Sequence, residues 1–422
     1  MEKLIVHGGQ RLTGSVQISG SKNSALPILA ATLLTAERCT IRRVPDLSDT
    51  NYMLRILGEL GADFERASGV ATISATDIHP DAPYDLVRKM RASICVLGPL
   101  TGRLKKARVS LPGGCVIGDR PVDLHLRGLE ALGAKITVDG GDILVDASEK
   151  GLTGARINLM GKHGSTVLGT DNVMMAATLA RGTTIIDGAA AEPEVKDLAD
   201  FLIAMGARIE GAGTNRITIE GVEELHGVDH TVIPDRIEAG TFLAAGAMLG
   251  DRVTLNRVQP AHLQVVLDEL QKCGFPLEIG TESITISANP DARGFDLTTQ
   301  TYPGFPTDMQ AQFCALACAV RDASSLTETI FPQRFMHIAE MKRMGADMDL
   351  QGATARVRGG KPLKGARVMA SDLRASAALV LAGLLASGAT EIHRLYHIDR
   401  GYEHIDDKLA GLGAQLERAK DI

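Results

Sequence analysis

Tryptophan is absent from the 422 residues, and aromatic side chains make up only 3%. A platform that stacks single-stranded bases needs aromatic faces, so this composition argues against one. Neither sign of charge dominates: 45 Lys and Arg stand against 51 Asp and Glu, for a formal net charge of −6. That balance argues against a general binder of nucleic acid or membrane surface, and any anion site must gather its cations locally. Cysteine is sparse, and Cys39, Cys95, Cys115, Cys273, Cys314 and Cys318 form no CxxC pair. Reduced thiols in a cytoplasmic compartment are the simplest account. Cys314 and Cys318 stand at i,i+4 spacing without a nearby histidine or third thiol, so no metal site is expected. No apolar core of signal-peptide length follows Met1, and no export signal is expected. The longest apolar stretch, around Ala375 to Ala386, is too short and too rich in Ala and Ser to span a bilayer. It reads as a buried helix.

What is present is a globular composition, 45% hydrophobic and 23% charged, on a chain too long for one ordinary core. Two domains are the default expectation. A helix ending in a hydrophobic-Gly-Ala signature recurs at Leu60-Gly61-Ala62, Leu132-Gly133-Ala134 and Met205-Gly206-Ala207. It returns at Cys273-Gly274-Phe275, Met344-Gly345-Ala346 and Leu412-Gly413-Ala414. The period is roughly 70 residues, longer than common solenoid repeats. Glycine there predicts a left-handed helix cap before a strand.

Each copy also carries a strongly apolar helix, predicted at 24–34, 92–100, 172–180, 239–249, 309–320 and 374–385. A closing strand follows each, predicted at 39–44, 108–111, 183–187, 253–258, 326–331 and 390–395. Helices apolar all round must be buried on every side, whereas those leading into the glycine signature are amphipathic. The pattern predicts an α/β fold: three copies packed around a helical centre, with sheets and amphipathic helices outside, and six copies making two lobes. Turn residues over 221–229 mark the boundary, giving a first lobe of 22–230. The second is 1–21 plus 231–422, completed by the amino-terminal strand.

Equivalent loops can then be compared. Those leading into the apolar helices carry Ser21-Lys22-Asn23, Arg88-Lys89-Met90-Arg91, Lys162-His163-Gly164-Ser165-Thr166, Asp235-Arg236, Thr307-Asp308 and Asp372-Leu373-Arg374. Capping by Ser, Thr and Asp accounts for most such loops taken singly. It does not account for Lys or Arg at a positive helix end, so Lys22, Arg91, Lys162 and Arg374 are candidates for an anion site. The loops after the closing strands are the second unusual place. One runs from Leu111-Pro112-Gly113-Gly114-Cys115 to Arg120-Pro121-Val122-Asp123-Leu124-His125, and another is Tyr396-His397-Ile398-Asp399-Arg400-Gly401. Glycines and prolines around one Cys and one Arg suggest a mobile lid, and a cation such as Arg120 favours the Cys115 thiolate.

These strings, with Phe305-Pro306-Thr307-Asp308-Met309-Gln310 and Asp399-Arg400-Gly401-Tyr402-Glu403, resemble the enolpyruvyl transferases over almost the whole chain. The resemblance implies two inside-out α/β lobes of three repeats each. It also implies transfer of the enolpyruvyl group of phosphoenolpyruvate to the 3′-hydroxyl of UDP-N-acetylglucosamine, with release of phosphate. In that scheme Cys115 is the acid and can add covalently to phosphoenolpyruvate. Lys22, Arg120 and Arg400 hold phosphate and carboxylate. Asp308 accepts the hydroxyl proton or orients the sugar, and as the residue before Met309 it is equally a helix N-cap candidate. Asn23 and Arg91 contact the sugar nucleotide or line the cleft. Arg120, Pro121, Val122, Asp123 and Leu124 follow the nucleotide, with Ile330 and Phe331 on the opposite lobe. Lys162, Thr166 and Val167 are the counterparts of the family's diphosphate-binding helix start, in a segment longer than the family's Ser-Val-Gly-Ala-Thr string. Arg374 and Asp372 bind substrate or support the other residues.

The scheme calls for no metal and no redox cofactor, since Lys and Arg supply the electrostatics and no dinucleotide fingerprint is present. It implies lobe closure, since Lys22, Cys115 and Arg120 lie on one lobe and Asp308 and Arg400 on the other. It also implies sensitivity to epoxides of the fosfomycin type at Cys115. Two other readings stay open. One is the same chemistry on a shikimate-3-phosphate acceptor, against which the Cys-bearing lid and the Arg120–Asp123 run speak. The other is an idle homologue that binds a sugar nucleotide.

Overall fold

The computed structural model describes residues 2–111 and 122–421. Two compact units emerge from it, one running through Ser19 and resuming at Pro234, the other spanning Gly20 to Ile233.

In the Gly20–Ile233 unit the centre is helical. Lys22–Ala31, a 3-10 segment Arg91–Val96 continuing into Leu97–Leu104, and Val167–Ala177 lie against one another and are buried along almost their whole length. Such helices exist because they have no polar face to offer water. Close approach is achieved with a small residue: a Cβ at Gly98 would fall 2.3 Å from the Asn172 carbonyl oxygen. The Asn172 side chain seals the same crossing, accepting from Gly98 N at 2.6 Å and donating to Ile94 O at 3.0 Å. Around this centre stand three sheets, ordered Asp229–Thr231/Cys39–Arg42/Val70–Ser74/Asp63–Ala67, Lys106–Ser110/Asp142–Asp146/Lys135–Asp139, and Arg208–Glu210/Arg216–Glu220/Thr183–Asp187/Arg156–Asn158.

The other unit repeats the plan. Its central helices are Arg236–Leu249, Gln310–Ala319 and Leu373–Leu385. One sheet is ordered Asp296–Thr298/Ala323–Thr327/Thr354–Arg358/Asp347–Gln351. The remaining two are finished by the start of the chain. Leu12–Gln17 runs parallel to Gly250–Asn256, and Glu2–His7 lies antiparallel between Ala389–His393 and Gln415–Lys420. Glu2–His7 thereby takes the place that the second hairpin strand holds in the other copies.

The six signature glycines 61, 133, 206, 274, 345 and 413 all have φ between 93° and 107°, the left-handed cap anticipated from the repeat. Several element bounds differ from expectation, and two of the differences have a clear local cause. The helix expected from 172 begins at Val167, because Thr166 caps it by accepting from Gly169 N at 3.2 Å. The strand expected over 326–331 is Ala323–Thr327, because the Glu328 carboxylate takes the N–H groups of Ile330 and Phe331 that a longer ladder would need.

The Gly98 crossing gives a direct test. Gly98→Ala must push helix backbone apart and should cost about 1–3 kcal/mol. Gly411→Ala, where nothing stands within 4 Å of the added carbon, should leave the urea midpoint unchanged or raise it. Equal midpoints for the two variants would mean that the helices do not cross as described.

Candidate functional site

Lys22 opens its central helix and is only 6% exposed. A buried ammonium needs a partner, and Asp49, itself buried, supplies one with Oδ2 at 2.7 Å. Asn23 and Arg91, both half-buried, follow Lys22 and begin the 3-10 segment respectively. Thr166 and Val167 form the N-cap and first residue of their helix, whose first N–H groups are the kind of donors an anion can use. Lys162 does not belong to that start. The segment before it folds as a two-stranded hairpin, Met160–Gly161 with Gly164–Ser165, and leaves Lys162 exposed in its turn, ahead of the cap. Val122 is the N-cap position of the helix Asp123–Ala131, Asp123 is exposed in its first turn, and Leu124 packs part-buried on the core. Cys115, Arg120 and Pro121 lie outside the described residues.

The five described cysteines are buried, which pushes their thiols up, Cys273 to about 11 and Cys318 to about 12. Thiols held that high are poor nucleophiles at neutral pH.

In the other unit the chemistry gathers at Asp308. It sits in the 3-10 turn Thr307–Met309, and its carboxylate reaches across the fold to two guanidinium groups. Arg334 Nη1 donates to Oδ1 at 2.7 Å, while Arg374 Nε and Nη2 donate to Oδ2 at 3.3 and 3.2 Å. The helix-capping alternative therefore belongs to Asp372 and Asp235. Asp372 accepts from Arg374 N and Ala375 N at 2.9 and 3.1 Å, and Asp235 from Ile237 N and Glu238 N, each at 2.9 Å. Gln312 Nε2 fixes the Asp308 carbonyl at 2.9 Å and also donates to the Tyr402 hydroxyl at 3.1 Å. The Arg374 guanidinium, 1% exposed, lies 5.2 Å from the Tyr402 ring centroid. Burial works against both guanidinium charges, but Asp308, with Tyr402 for Arg374 and Asp372 for Arg334, holds them above the usual range.

Arg400 lies part-exposed in the turn after Leu395–His397, and with burial its charge pushes the His397 imidazole down. Ile330 and Phe331 are part-buried in the loop after Ala323–Thr327. That loop also holds Arg334, and the loop after Cys39–Arg42 leads to Asp49. Neither partner was singled out from sequence. The signal existed, because both follow a closing strand, the position that yields Cys115 and Arg400 in other copies. No group of three or more His, Cys, Asp or Glu suited to a metal occurs among the described residues.

One neighbour has a pH consequence. His337, 1% exposed, faces Asp372 and Arg334, and burial pushes its imidazole down to about 4 from 6.5. The unfolded chain therefore binds the extra proton first. Stability from this position is complete above the unfolded value and drains as pH falls toward the folded one. From about pH 7 to 5 the loss through this residue is about 2 kcal/mol. His337→Gln should shed less stability over that range, read from urea midpoints at both pH values; parallel losses would contradict a neutral buried imidazole.

Residues 6–409 match the family described as EPSP synthase (3-phosphoshikimate 1-carboxyvinyltransferase). A protein of Akkermansia muciniphila named UDP-N-acetylglucosamine 1-carboxyvinyltransferase is 59% identical over 423 residues, covering 100% of this chain and 99% of its own. A protein of the same name from Methylacidiphilum infernorum is 59% identical over 418 residues, 99% of both chains. Among solved structures, the enolpyruvyl transferase NikO from Streptomyces tendae superposes with a TM-score of 0.90 at 26% identity, over 99% of this chain and 98% of that one. EPSP synthase from Acinetobacter baumannii shares the fold at a TM-score of 0.76 and 17% identity, over the whole of both chains. With these matches running end to end, and with apolar helices inside and sheets outside in each unit, the chain belongs to the EPSP synthase family of enolpyruvyl transferases.

Proposed function

We propose that the protein transfers the enolpyruvyl group of phosphoenolpyruvate to the 3′-hydroxyl of UDP-N-acetylglucosamine, releasing phosphate, as the committing step of peptidoglycan synthesis in the cytoplasm. The observation that carries this reading is 59% identity, over 100% of the chain, to a relative bearing the name of that activity. The shikimate-3-phosphate acceptor is less well supported, since the EPSP synthase structures resemble this chain at only 17% and 18% identity.

The chemistry is addition followed by elimination. The sugar oxygen gives up its proton and bonds to C2 of phosphoenolpyruvate while C3 gains a proton; then C3 loses a proton and the C2–O bond to phosphate breaks. Asp308 is the acceptor or orienter for the sugar hydroxyl. Its carboxylate, held from both sides by Arg334 and Arg374, is pre-aimed and needs little reorganisation. Cys115 is the acid toward C3 and the thiol that can add to the substrate. Lys22, Arg120 and Arg400 hold phosphate and carboxylate. Asn23, Arg91 and the 121–124 run contact the sugar nucleotide, as do Thr166, Val167, Ile330 and Phe331, with Lys162 reaching the diphosphate from its hairpin. Arg374 serves through Asp308. The scheme asks for no metal or redox cofactor.

Phosphate release from phosphoenolpyruvate should require UDP-N-acetylglucosamine and should not appear with shikimate 3-phosphate; the reverse dependence would overturn the acceptor. Asp308→Ala should lower kcat by about 10²–10⁴-fold. Cys115→Ser should abolish turnover while leaving sugar-nucleotide binding, measured calorimetrically, within a few-fold. An epoxide of the fosfomycin type should inactivate the protein with a mass increase confined to the peptide containing Cys115, and Cys115→Asp should resist it.

A further inference from the structure

Immediately after the closing strands, the six copies place Arg43, Leu111, Gly188, Arg257, Glu328 and Arg394. Four of these turn the chain out of its sheet through a left-handed backbone: Arg43, Gly188, Arg257 and Arg394, with φ of 59°, 66°, 57° and 61°. Glu328 has neither the left-handed backbone nor the basic side chain. It is an acid, 1% exposed, at a position where the repeat has no need of one.

Its carboxylate is fully engaged. Oε1 accepts from Thr299 Oγ1 at 2.7 Å, Ile330 N at 2.8 Å and Phe331 N at 2.9 Å. Oε2 accepts from Thr307 Oγ1 at 2.8 Å. Because the Thr307 hydroxyl spends its proton on Glu328, its oxygen is turned as an acceptor toward Arg334, whose Nη1 donates to it at 3.1 Å. The same Nη1 donates to Asp308 Oδ1 at 2.7 Å. One carboxylate thus fixes the donor direction of Thr307, which fixes the guanidinium, which fixes Asp308. It also pins the backbone at Ile330 and Phe331.

We propose that Glu328 is a positioning residue for the acceptor half of the reaction, acting through Thr307 and Arg334 on Asp308 and through the N–H groups of Ile330 and Phe331 on the sugar-nucleotide loop. This rests on the reading of Asp308 given above. A neutral amide cannot replace the carboxylate. If the oxygen of a glutamine serves the three donors on Oε1, its NH2 must point at Thr307 and compete with Arg334 for the same hydroxyl oxygen.

The test is steady-state kinetics with both substrates on Glu328→Gln, Thr307→Val and the double variant, with Asp308→Asn alongside. Glu328→Gln should lower kcat about tenfold and raise KM for UDP-N-acetylglucosamine several-fold, with KM for phosphoenolpyruvate unchanged. Thr307→Val should lower kcat similarly, Thr307→Ser should restore it, and the double variant should be no worse than the poorer single one. The proposal is overturned if Glu328→Gln keeps kcat and both KM values within twofold while only its melting temperature falls, or if the two losses multiply. Should Glu328→Gln fail to fold, full turnover in Thr307→Val overturns the relay by itself, and loss of turnover restored by Thr307→Ser supports it. Full turnover in Asp308→Asn would remove the reading of Asp308, whereas an inactive Asp308→Asn beside an unaffected Glu328→Gln would remove only the role of Glu328.

Discussion

A helix without a polar face can exist in water only if other elements surround it, and the rest of this molecule follows from that constraint. Each compact unit hides such helices behind three sheets, so polar side chains have few places to converge. They converge where the central helices begin and where the closing strands end, because there the backbone leaves the apolar interior and its N–H groups need partners. Lys22, Thr166, Asp235, Asp308 and Asp372 all stand at helix starts. Glu328 and Arg334 stand just beyond a strand end.

Buried charge then dictates partnership. Arg374 and the Arg334 side chain, 1% and 8% exposed, would each be very costly alone, and sharing one carboxylate lets both remain ionised. The arrangement is also directional. Each oxygen of Asp308 is committed to a different guanidinium, so the carboxylate plane is set before any ligand arrives. A side chain oriented in this way can take a hydroxyl proton or aim a sugar ring without first having to reorganise.

The sequence made much of this legible. Six-fold recurrence of the glycine signature marked the helix caps, and uninterrupted apolarity marked the buried helices. Lys22 and Asp308 stood out because a cation or an acid at equivalent points of a repeat calls for an explanation. What stayed hidden was pairing. Asp49, Arg334 and Glu328 lie 27, 26 and 21 residues from the side chains they contact, Lys22, Asp308 and Thr307, and nothing in local pattern says which group meets which. The hairpin that carries Lys162 stayed hidden for a related reason: the residues ahead of a helix cap can form a hairpin as readily as a longer lead into a helix, and one sequence does not separate the two. The end of the strand at Thr327 depended on a side chain competing for backbone donors, which no hydrophobic pattern records.

The pairing of Glu2–His7 with Ala389–His393 and Gln415–Lys420 bears on biosynthesis. Every sheet of the Gly20–Ile233 unit is complete once that stretch has left the ribosome. The other unit must wait for the last copy, so its first strand, with Leu4 and Val6 destined for the core, stays unpaired through most of translation. At ~5–20 residues per second that interval is on the order of tens of seconds. The Glu2–His7 segment is therefore exposed to mispairing, and the two charges that precede its apolar residues, Glu2 and Lys3, suit a strand that must remain soluble until its partners appear.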